Sequence, residues 1–180
     1  MTKGKIIYLE GVSSSGKTTL AKALQARLPK PFFWLAGDTF RDMAPEKFLD
    51  SPTVIFPEIE AATIHTIRLF SDLGIDAIVD IVPVSMSNSL DLFIQALHQC
   101  PVLYIGVTCP LEELRRREKQ RGDRPTGLGE SQLSWMGSQD AYDIVVDTHN
   151  QPMEECADQI IALLDFPEKF TAFRNRLTRQ

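Results

Sequence analysis

The sequence has little of what marks a secreted or membrane-spanning protein. Its 180 residues include three cysteines, Cys100, Cys109 and Cys156, whose odd number and spacing fit neither a disulfide framework nor a metal site. No run approaches the roughly 20 apolar residues that span a membrane. Residues 1–4 pass directly into the first predicted strand and leave no room for a signal peptide. We therefore expect reduced thiols and a cytoplasmic protein that does not bind a membrane.

The sequence also has no net positive charge and no repetitive segments. The formal net charge is −5 at pH 7 and the isoelectric point is near 5.2, whereas nucleic-acid binders usually present a basic face. We see no internal repeat and no low-complexity tract. With 43% hydrophobic residues, the chain is long enough to form one domain with a sizeable core. We therefore expect a globular protein that does not bind nucleic acid.

One stretch carries a specific chemical signal. The apolar run 5–10 leads into Gly11-Val-Ser-Ser-Ser-Gly-Lys-Thr18 and then a helical pattern, the strand–loop–helix context of a P-loop. Its glycines permit a backbone whose N–H groups point at phosphate oxygens, and the positive end of the helix adds to this anion site. Lys17 supplies a charge for the β- and γ-phosphates, and the Thr18 hydroxyl can bind Mg²⁺. The residues expected to hold the nucleotide are Gly11, Ser13, Ser14, Ser15, Gly16, Lys17, Thr18 and Thr19.

Strand-like and helix-like segments alternate along the rest of the chain. Strands are predicted at 5–10, 32–36, 77–82, 102–107 and 143–147, and helices at 17–28, 58–73, 87–99, 111–119 and 152–164. Three prolines predict a short helix and irregular chain over 41–57, and residues 129–139 form a further candidate helix. This alternation predicts an α/β fold with a five-stranded parallel sheet covered by helices on both faces. Ligands of such sheets bind beyond the carboxyl ends of the strands.

Two carboxylates follow predicted strands at that edge of the sheet. Asp38 comes just past the second strand, and Asp80 ends an Ala-Ile-Val run in an arrangement that resembles a Walker B metal carboxylate. Phosphoryl transfer to a hydroxyl needs one carboxylate near the acceptor oxygen and another near the metal. Asp38 fits the first role, with helix capping as the alternative. Asp80 fits the second, with a strand-end turn as the alternative.

A basic stretch near residue 120 interrupts the acidic chain. Arg115 to Lys119 are expected to form, in part, a solvated helix face. Arg121 and Arg124 lie in a predicted Gly/Pro-containing loop, at about 120–128, that can close over a nucleotide as a lid. A guanidinium placed this way would contact the transferred phosphate. We expect at least one of these two arginines to do so, and the spacing does not decide which.

Aromatic residues supply two further hypotheses. Phe40, Phe48 and Phe56 lie in the irregular segment, where they could hold a flat or apolar acceptor. The net basic tail from Phe166 onward carries phenylalanines with the spacing of one helical stripe. That stripe predicts docking on the domain or, alternatively, a subunit contact in a homo-oligomer. The histidines, His65, His98 and His149, lack metal-ligand spacing, so packing or surface roles are favoured.

Taken in order, these motifs resemble the chloramphenicol phosphotransferase family, small P-loop kinases related in fold to shikimate and nucleoside-monophosphate kinases. The resemblance runs from the first strand to about Leu164 and is most specific in Arg121-Gly-Asp-Arg124 followed by Tyr142-Asp-Ile-Val-Val-Asp-Thr. It implies a kinase domain over 1–165 and an additional tail over 166–180. It also implies transfer of the γ-phosphate of ATP, with Mg²⁺, to a small-molecule hydroxyl, with Asp38 as the base. The family has a second aspartate where this chain has Ile81.

Two alternatives remain open from the sequence. A nucleoside-monophosphate kinase would need arginines in its acceptor site, and residues 38–73 offer only Arg41 and Arg68. A regulatory protein that uses its P-loop as a switch would need a partner. No partner motif is evident, although the unusual tail keeps that reading open.

Overall fold

The computed structural model describes residues 2–49, 52–82, 89–122, 126–135 and 141–176. Its strands are β1 (Ile6–Glu10), β2 (Phe33–Ala36), β3 (Ala77–Asp80), β4 (Val102–Thr108) and β5 (Ile144–Asp147). They form one sheet in the order β2-β3-β1-β4-β5, in which every neighbouring pair is parallel. The predicted α/β class and five-stranded parallel sheet are therefore confirmed.

Helices connect the strands and pack against the sheet. Among the described residues, none of them has the length and apolar character that a membrane span requires. In the part of the chain that the structure describes, short 3₁₀ turns occupy Glu46–Phe48, Leu133–Trp135 and Pro167–Lys169. The helices are α1 (Lys17–Arg27), α2 (Gly37–Asp42), α3 (Pro52–Asp72), α4 (Ser89–Leu97), α5 (Leu111–Arg121), α6 (Leu128–Gln132), α7 (Met153–Leu163) and α8 (Ala172–Asn175).

The central strand β1 divides the core into two layers. All five of its residues are buried, and successive side chains point to opposite faces of the sheet. Ile7 and Leu9 pack with residues of α1 and α7, whereas Ile6 and Tyr8 pack with residues of α3 and α4. A strand covered on both faces is mostly apolar, and the first four residues of β1 follow this pattern.

The start of α3 differs from the prediction. Its helix begins at Pro52 and contains Pro57, so the expectation of irregular chain up to residue 57 is wrong. Proline is well tolerated in the first turn of a helix, where its missing N–H would have no helical partner. Later in α3, Ile64 and Ile67 are buried in the core. Such packing of an apolar face, rather than local propensity, supplies most of the stability of helices in proteins.

The tail also differs from the prediction of a single helical stripe. It forms the 3₁₀ turn Pro167–Lys169 followed by α8, and its phenylalanines separate. Phe170 is 2% exposed and joins the α1–α7 layer, Phe173 is fully buried in the α3–α4 layer, and Phe166 is 45% exposed. The first two therefore dock on the chain's own core.

The tail reaches the residue that precedes the P-loop. Arg176 Nη1 donates a hydrogen bond of 3.0 Å to the Tyr104 hydroxyl, which in turn donates to the Glu10 carboxylate. The Arg176 guanidinium also lies over the Tyr104 ring, 5.2 Å from its centroid. Burial raises the pKa of Glu10, although the Tyr104 hydrogen bond and the Arg176 charge oppose this rise. The described tail is thus joined to the end of β1 by polar contacts as well as by packing.

We expect Phe173→Ala to lower the free energy of unfolding by about 3–5 kcal/mol, because it leaves a large cavity in the core. Phe166→Ala is the matched control, since that ring is 45% exposed, and it should cost less than about 1 kcal/mol. Urea denaturation followed by circular dichroism measures both values. Equal losses would show that the tail does not belong to the folded core.

Candidate active site

The P-loop joins the end of β1 to the start of α1, and its two glycines are required by close contacts. A Cβ atom at Gly11 would lie 2.6 Å from Ser15 Oγ and 2.7 Å from the Val107 carbonyl oxygen. Gly16 has a φ of +97°, and a Cβ atom there would lie 3.0 Å from Thr148 Oγ1. A side chain at either position would push the loop away from its neighbours, and at Gly16 it would also strain the backbone.

Lys17 and Thr18 begin α1, and the Lys17 side chain points back toward the loop. Lys17 is 6% exposed, and its Nζ atom donates to the carbonyl oxygens of Gly11 at 2.8 Å and Val12 at 3.0 Å. The Thr18 hydroxyl donates a hydrogen bond of 2.8 Å to Asp80 Oδ2. The structure therefore brings together the predicted phosphate-binding lysine, the threonine and the carboxylate at the end of β3.

Asp38 lies in the first turn of α2, directly beyond β2. Its side chain is 57% exposed, and Arg41 Nη1 lies 3.5 Å from its Oδ1 atom. The N-cap of α2 is Ala36, and no side chain caps the helix by a hydrogen bond. The capping alternative for Asp38 is therefore wrong. Asp38 lines the same cavity as Lys17 and Asp80.

The predicted lid arginines are described only in part. Arg121 is the last residue of α5, and Gly122 is the C-cap of that helix. The expectation that Arg121 lies in a loop is therefore wrong. Arg121 lines the cavity. Arg124 lies outside the described residues.

Arg117 is a cavity residue that sequence reasoning missed. It donates from Nη1 to Thr148 Oγ1 and from Nη2 to the Thr148 carbonyl oxygen, both at 3.0 Å, and it lines the cavity. Its Nε atom donates to Glu113 Oε1 at 2.8 Å. The four-residue spacing between Arg117 and Arg121 puts both on one helix face, and this spacing is the signal that could have identified Arg117.

Glu113 fixes the orientation of Arg117. Hydrogen bonds from Arg116 and then Arg117 lower the pKa of Glu113 to about 2. The carboxylate therefore stays ionised near neutral pH and holds one edge of the Arg117 guanidinium. By contrast, Arg115 pairs with Glu112 and Glu130 on the exposed surface, as expected for a solvated helix face.

Side chains from α6 and from the segment after β5 fasten the P-loop on two sides. Ser13 N–H donates to Gln132 Oε1 at 2.7 Å. The Thr148 hydroxyl donates to the Ser15 carbonyl oxygen at 2.6 Å. Neither Gln132 nor Thr148 was predicted as a site residue, because their contacts with the P-loop join residues that are more than 100 positions apart in sequence.

Glu118 anchors α6 beside the P-loop. Its carboxylate is 2% exposed and accepts hydrogen bonds from Gly127 N–H at 2.8 Å and Gly129 N–H at 2.6 Å. A Cβ atom at Gly129 would lie 2.7 Å from the Ser13 carbonyl oxygen. The anchor therefore fixes the distance between α6 and the loop.

A cavity of about 580 Å³ opens beside these groups. Asp80 lines it, and we group most of its other lining residues into two halves. The half that we call the P-loop half is lined by Ser13, Ser14, Gly16, Lys17, Thr18, Thr19, Arg117, Gln120, Arg121 and Gln132. The half that we call the acceptor half is lined by Trp34, Asp38, Arg41, Asp42, Phe56, Ile59, Glu60, Thr63, Ile81, Val82 and Phe93.

The acceptor half contains one of the three phenylalanines proposed to hold an apolar acceptor. Phe56 lines the cavity, whereas Phe40 and Phe48 are not among its lining residues. Phe48 is 41% exposed, with the Lys47 ammonium 4.9 Å from its ring centroid. The apolar wall contains instead Trp34, Ile59 and Phe93, which come from β2, α3 and α4.

Comparison with known proteins identifies sequence relatives. Residues 4–165 match the family described as chloramphenicol phosphotransferase-like protein. A Mycobacterium tuberculosis (strain H37Rv) protein that is provisionally named an O-phosphotransferase is 29% identical, and the match covers 98% of this chain and 90% of the relative. The adenylyl-sulfate kinase of Clostridium acetobutylicum is 25% identical, over 90% of this chain and 84% of that enzyme.

Solved structures with similar folds include a kinase and a resistance protein. The APS kinase CysC of M. tuberculosis, in complex with AMPPNP and APS, has a TM-score of 0.65 at 19% identity, covering 92% of this chain and 99% of that one. The tunicamycin resistance protein of Deinococcus radiodurans has a TM-score of 0.67 at 22% identity, covering 90% and 96%. At these identities the likeness shows the fold alone.

We expect Glu118→Gln to lower the free energy of unfolding by about 1–3 kcal/mol, because the amide can accept only one of the two backbone hydrogen bonds. Amide exchange at Gly129 should become faster. Glu112→Gln on the same helix is the matched control, since that side chain is 87% exposed. Urea denaturation and hydrogen exchange measure the two effects, and equal behaviour of both variants would contradict the anchoring role.

Proposed function

The chain belongs to the chloramphenicol phosphotransferase-like family, and we propose that it is a kinase that transfers the γ-phosphate of ATP, with Mg²⁺, to a hydroxyl of a small molecule. One observation carries this proposal. Lys17, Thr18, Asp80 and Asp38 line a single cavity, so groups suited to a phosphate, a metal ion and an acceptor hydroxyl share one space.

The residues of the P-loop half fit a nucleoside triphosphate. Gly11 and Gly16 allow the loop backbone to approach closely where a Cβ atom would intrude. ATP supplies the phosphoryl group for the reaction. Lys17 would hold the β- and γ-phosphates and offset the negative charge that builds on their oxygens. Arg117 and Arg121 add positive charge on the same side, and Arg124 stays a proposed lid residue.

The Thr18–Asp80 pair fits Mg²⁺. Both side chains offer oxygen atoms, which are the ligands that Mg²⁺ prefers, and two protein ligands suit an ion that keeps several waters and binds substrate phosphates. In the proposed reaction Thr18 holds the ion, and Asp80 does so directly or through water. The described residues contain no group of three His, Cys, Asp or Glu side chains arranged for a metal.

Asp38 is the proposed base for the acceptor hydroxyl. It follows a strand of the parallel sheet at the carboxyl edge, where such folds bind their ligands, and it lies in the acceptor half. Its exposed carboxylate would orient the hydroxyl and take its proton as the phosphoryl group is transferred. Arg41 lies beside this carboxylate, with its Nη1 atom 3.5 Å from Asp38 Oδ1.

A nucleoside-monophosphate kinase is the less favoured alternative. Such an enzyme needs cations in the acceptor half for a second phosphate. Arg68 instead donates to the Ala96 carbonyl oxygen and pairs with Asp72, and Arg41 pairs with two aspartates.

The three cysteines are free thiols, which supports the proposed cytoplasmic location.

The first experiment measures ADP release from Mg-ATP with a panel of hydroxylated acceptors, using Lys17→Ala as the blank. The panel contains chloramphenicol, shikimate, aminoglycosides, sugars and nucleoside monophosphates. Stimulation by one class, absent in the blank, would support the kinase and name its acceptor. Tight ATP binding with no stimulated turnover would favour the P-loop switch, and partner capture in the ATP and ADP states would then test it.

We expect Asp38→Asn to lower kcat by about 10² to 10⁴, because it removes the proposed base. ATP affinity, measured by calorimetry, should stay within about two-fold, since Asp38 lies outside the P-loop half. Asp72→Asn is the control, because that carboxylate lies at the end of α3 and is 43% exposed. Retention of near-normal turnover would remove Asp38 from the mechanism.

We expect Asp80→Asn to raise the Mg²⁺ concentration needed for half-maximal activity by about 10- to 100-fold, because the amide carries no charge for the ion. A titration of activity against free Mg²⁺ at saturating ATP measures this value. An unchanged Mg²⁺ requirement would leave Asp80 as a structural partner of Thr18 only.

A further inference from the structure

The acceptor half of the cavity carries an excess of negative charge. Asp38, Asp42 and Glu60 line it, and Arg41 is the cationic side chain that the described residues contribute there. Arg41 is already engaged, because Nη1 lies 3.5 Å from Asp38 Oδ1 and Nη2 lies 3.0 Å from Asp42 Oδ1. An acceptor that carried its own carboxylate, sulfate or phosphate near these groups would be repelled.

Among these carboxylates, Glu60 is the one with a buried oxygen atom that lacks a hydrogen-bond donor in the described part of the chain. Its Oε1 atom is buried and has no hydrogen-bond partner among the residues that the structure describes. Burial raises the pKa of Glu60. Leaving a buried carboxylate oxygen without a donor is costly, and nearly all such atoms in folded proteins have a partner. Because Glu60 lines the cavity, a bound ligand can supply that partner.

The described neighbours of Glu60 do not supply a donor. The Thr63 hydroxyl, one turn along α3, donates to the Ile59 carbonyl oxygen at 2.7 Å. Trp34 Nε1 is itself buried without a partner among the described residues. Burial first, then the charges of Glu10 and Glu60, raise the pKa of the Tyr8 hydroxyl, and the charge of Arg176 lowers it.

We propose that the acceptor is an amino alcohol whose ammonium group binds the Glu60 carboxylate and whose apolar part packs against Trp34 and Phe56. This inference rests on the function proposed above and names the substrate class of the same cavity. An ammonium group supplies the donor that Glu60 Oε1 lacks and offsets the negative charge of the acceptor half. A cavity of about 580 Å³ is large enough for a drug-sized molecule.

The test uses two series of ligands, each with one phenylpropane skeleton that carries an ammonium group, a neutral amide or a carboxylate. The first series is phenylserinol, its N-acetyl derivative and phenylglycerate, and the second is phenylalaninol, its N-acetyl derivative and phenyllactate. Isothermal titration calorimetry, without nucleotide, measures their binding to the full chain. The variants are Glu60→Gln and, as the matched control, Glu58→Gln, whose side chain is exposed on the same helix and does not line the cavity.

We expect each amine to bind at least about ten-fold more tightly than its N-acetyl derivative, and the acids to bind most weakly. Glu60→Gln should remove at least about ten-fold of amine affinity and leave the N-acetyl derivatives unchanged, which also shows that the variant is folded. Glu58→Gln should bind like the parent protein. Equal affinity for amines and N-acetyl derivatives, equal loss of all ligands in Glu60→Gln, or no binding by either amine would overturn the proposal.

The binding test and the ADP-release test can reject the amine site and the kinase function independently of each other. Amine binding that depends on Glu60, without phosphoryl transfer to any acceptor, would retain the amine site and reject the proposed kinase function. Phosphoryl transfer to acids or to N-acetyl derivatives, with no preference for amines in the calorimeter, would retain the kinase and reject the amine site.

Discussion

The site depends on β1 lying at the centre of a parallel sheet. β1 is the middle strand of the sheet and all five of its residues are buried. The loop that follows it therefore leaves the sheet in the middle of the carboxyl edge. The register sets Leu9 opposite Asp80 on β3. Thr18 therefore reaches a carboxylate that is 62 positions away in sequence. The position of one strand places the P-loop and the carboxylate proposed to hold the metal side by side.

The parts of the fold and site with local signals were predictable. The P-loop follows from spacing, and Asp38 and Asp80 follow from their places at strand ends. Arg117 was missed because its partner Thr148 is 31 residues away and four other basic side chains lie within the same seven positions. The start of α3 was missed because the helix-breaking tendency of proline does not hold in a first turn. A long-range contact therefore decides the first case and a local rule decides the second.

The shape of the P-loop is a property of the whole domain rather than of the motif. Gln132 and Thr148 hold the loop from α6 and from the segment after β5, and Glu118 fixes α6 in turn. From Glu10, directly before the loop, the chain of contacts through Tyr104 extends to Arg176 in the tail. The phosphate-binding backbone is thereby preorganised by side chains from the second half of the sequence.

The negative charge of the acceptor half would also affect product release. In the proposed reaction, transfer gives the acceptor a phosphate group with about −1.5 to −2 charge near neutral pH. That new charge would stand next to Asp42 and Glu60, in a half of the cavity whose arginine is already paired. The carboxylates proposed to attract an amine would therefore repel the phosphorylated product. The same negative charges would thus favour both substrate binding and product release.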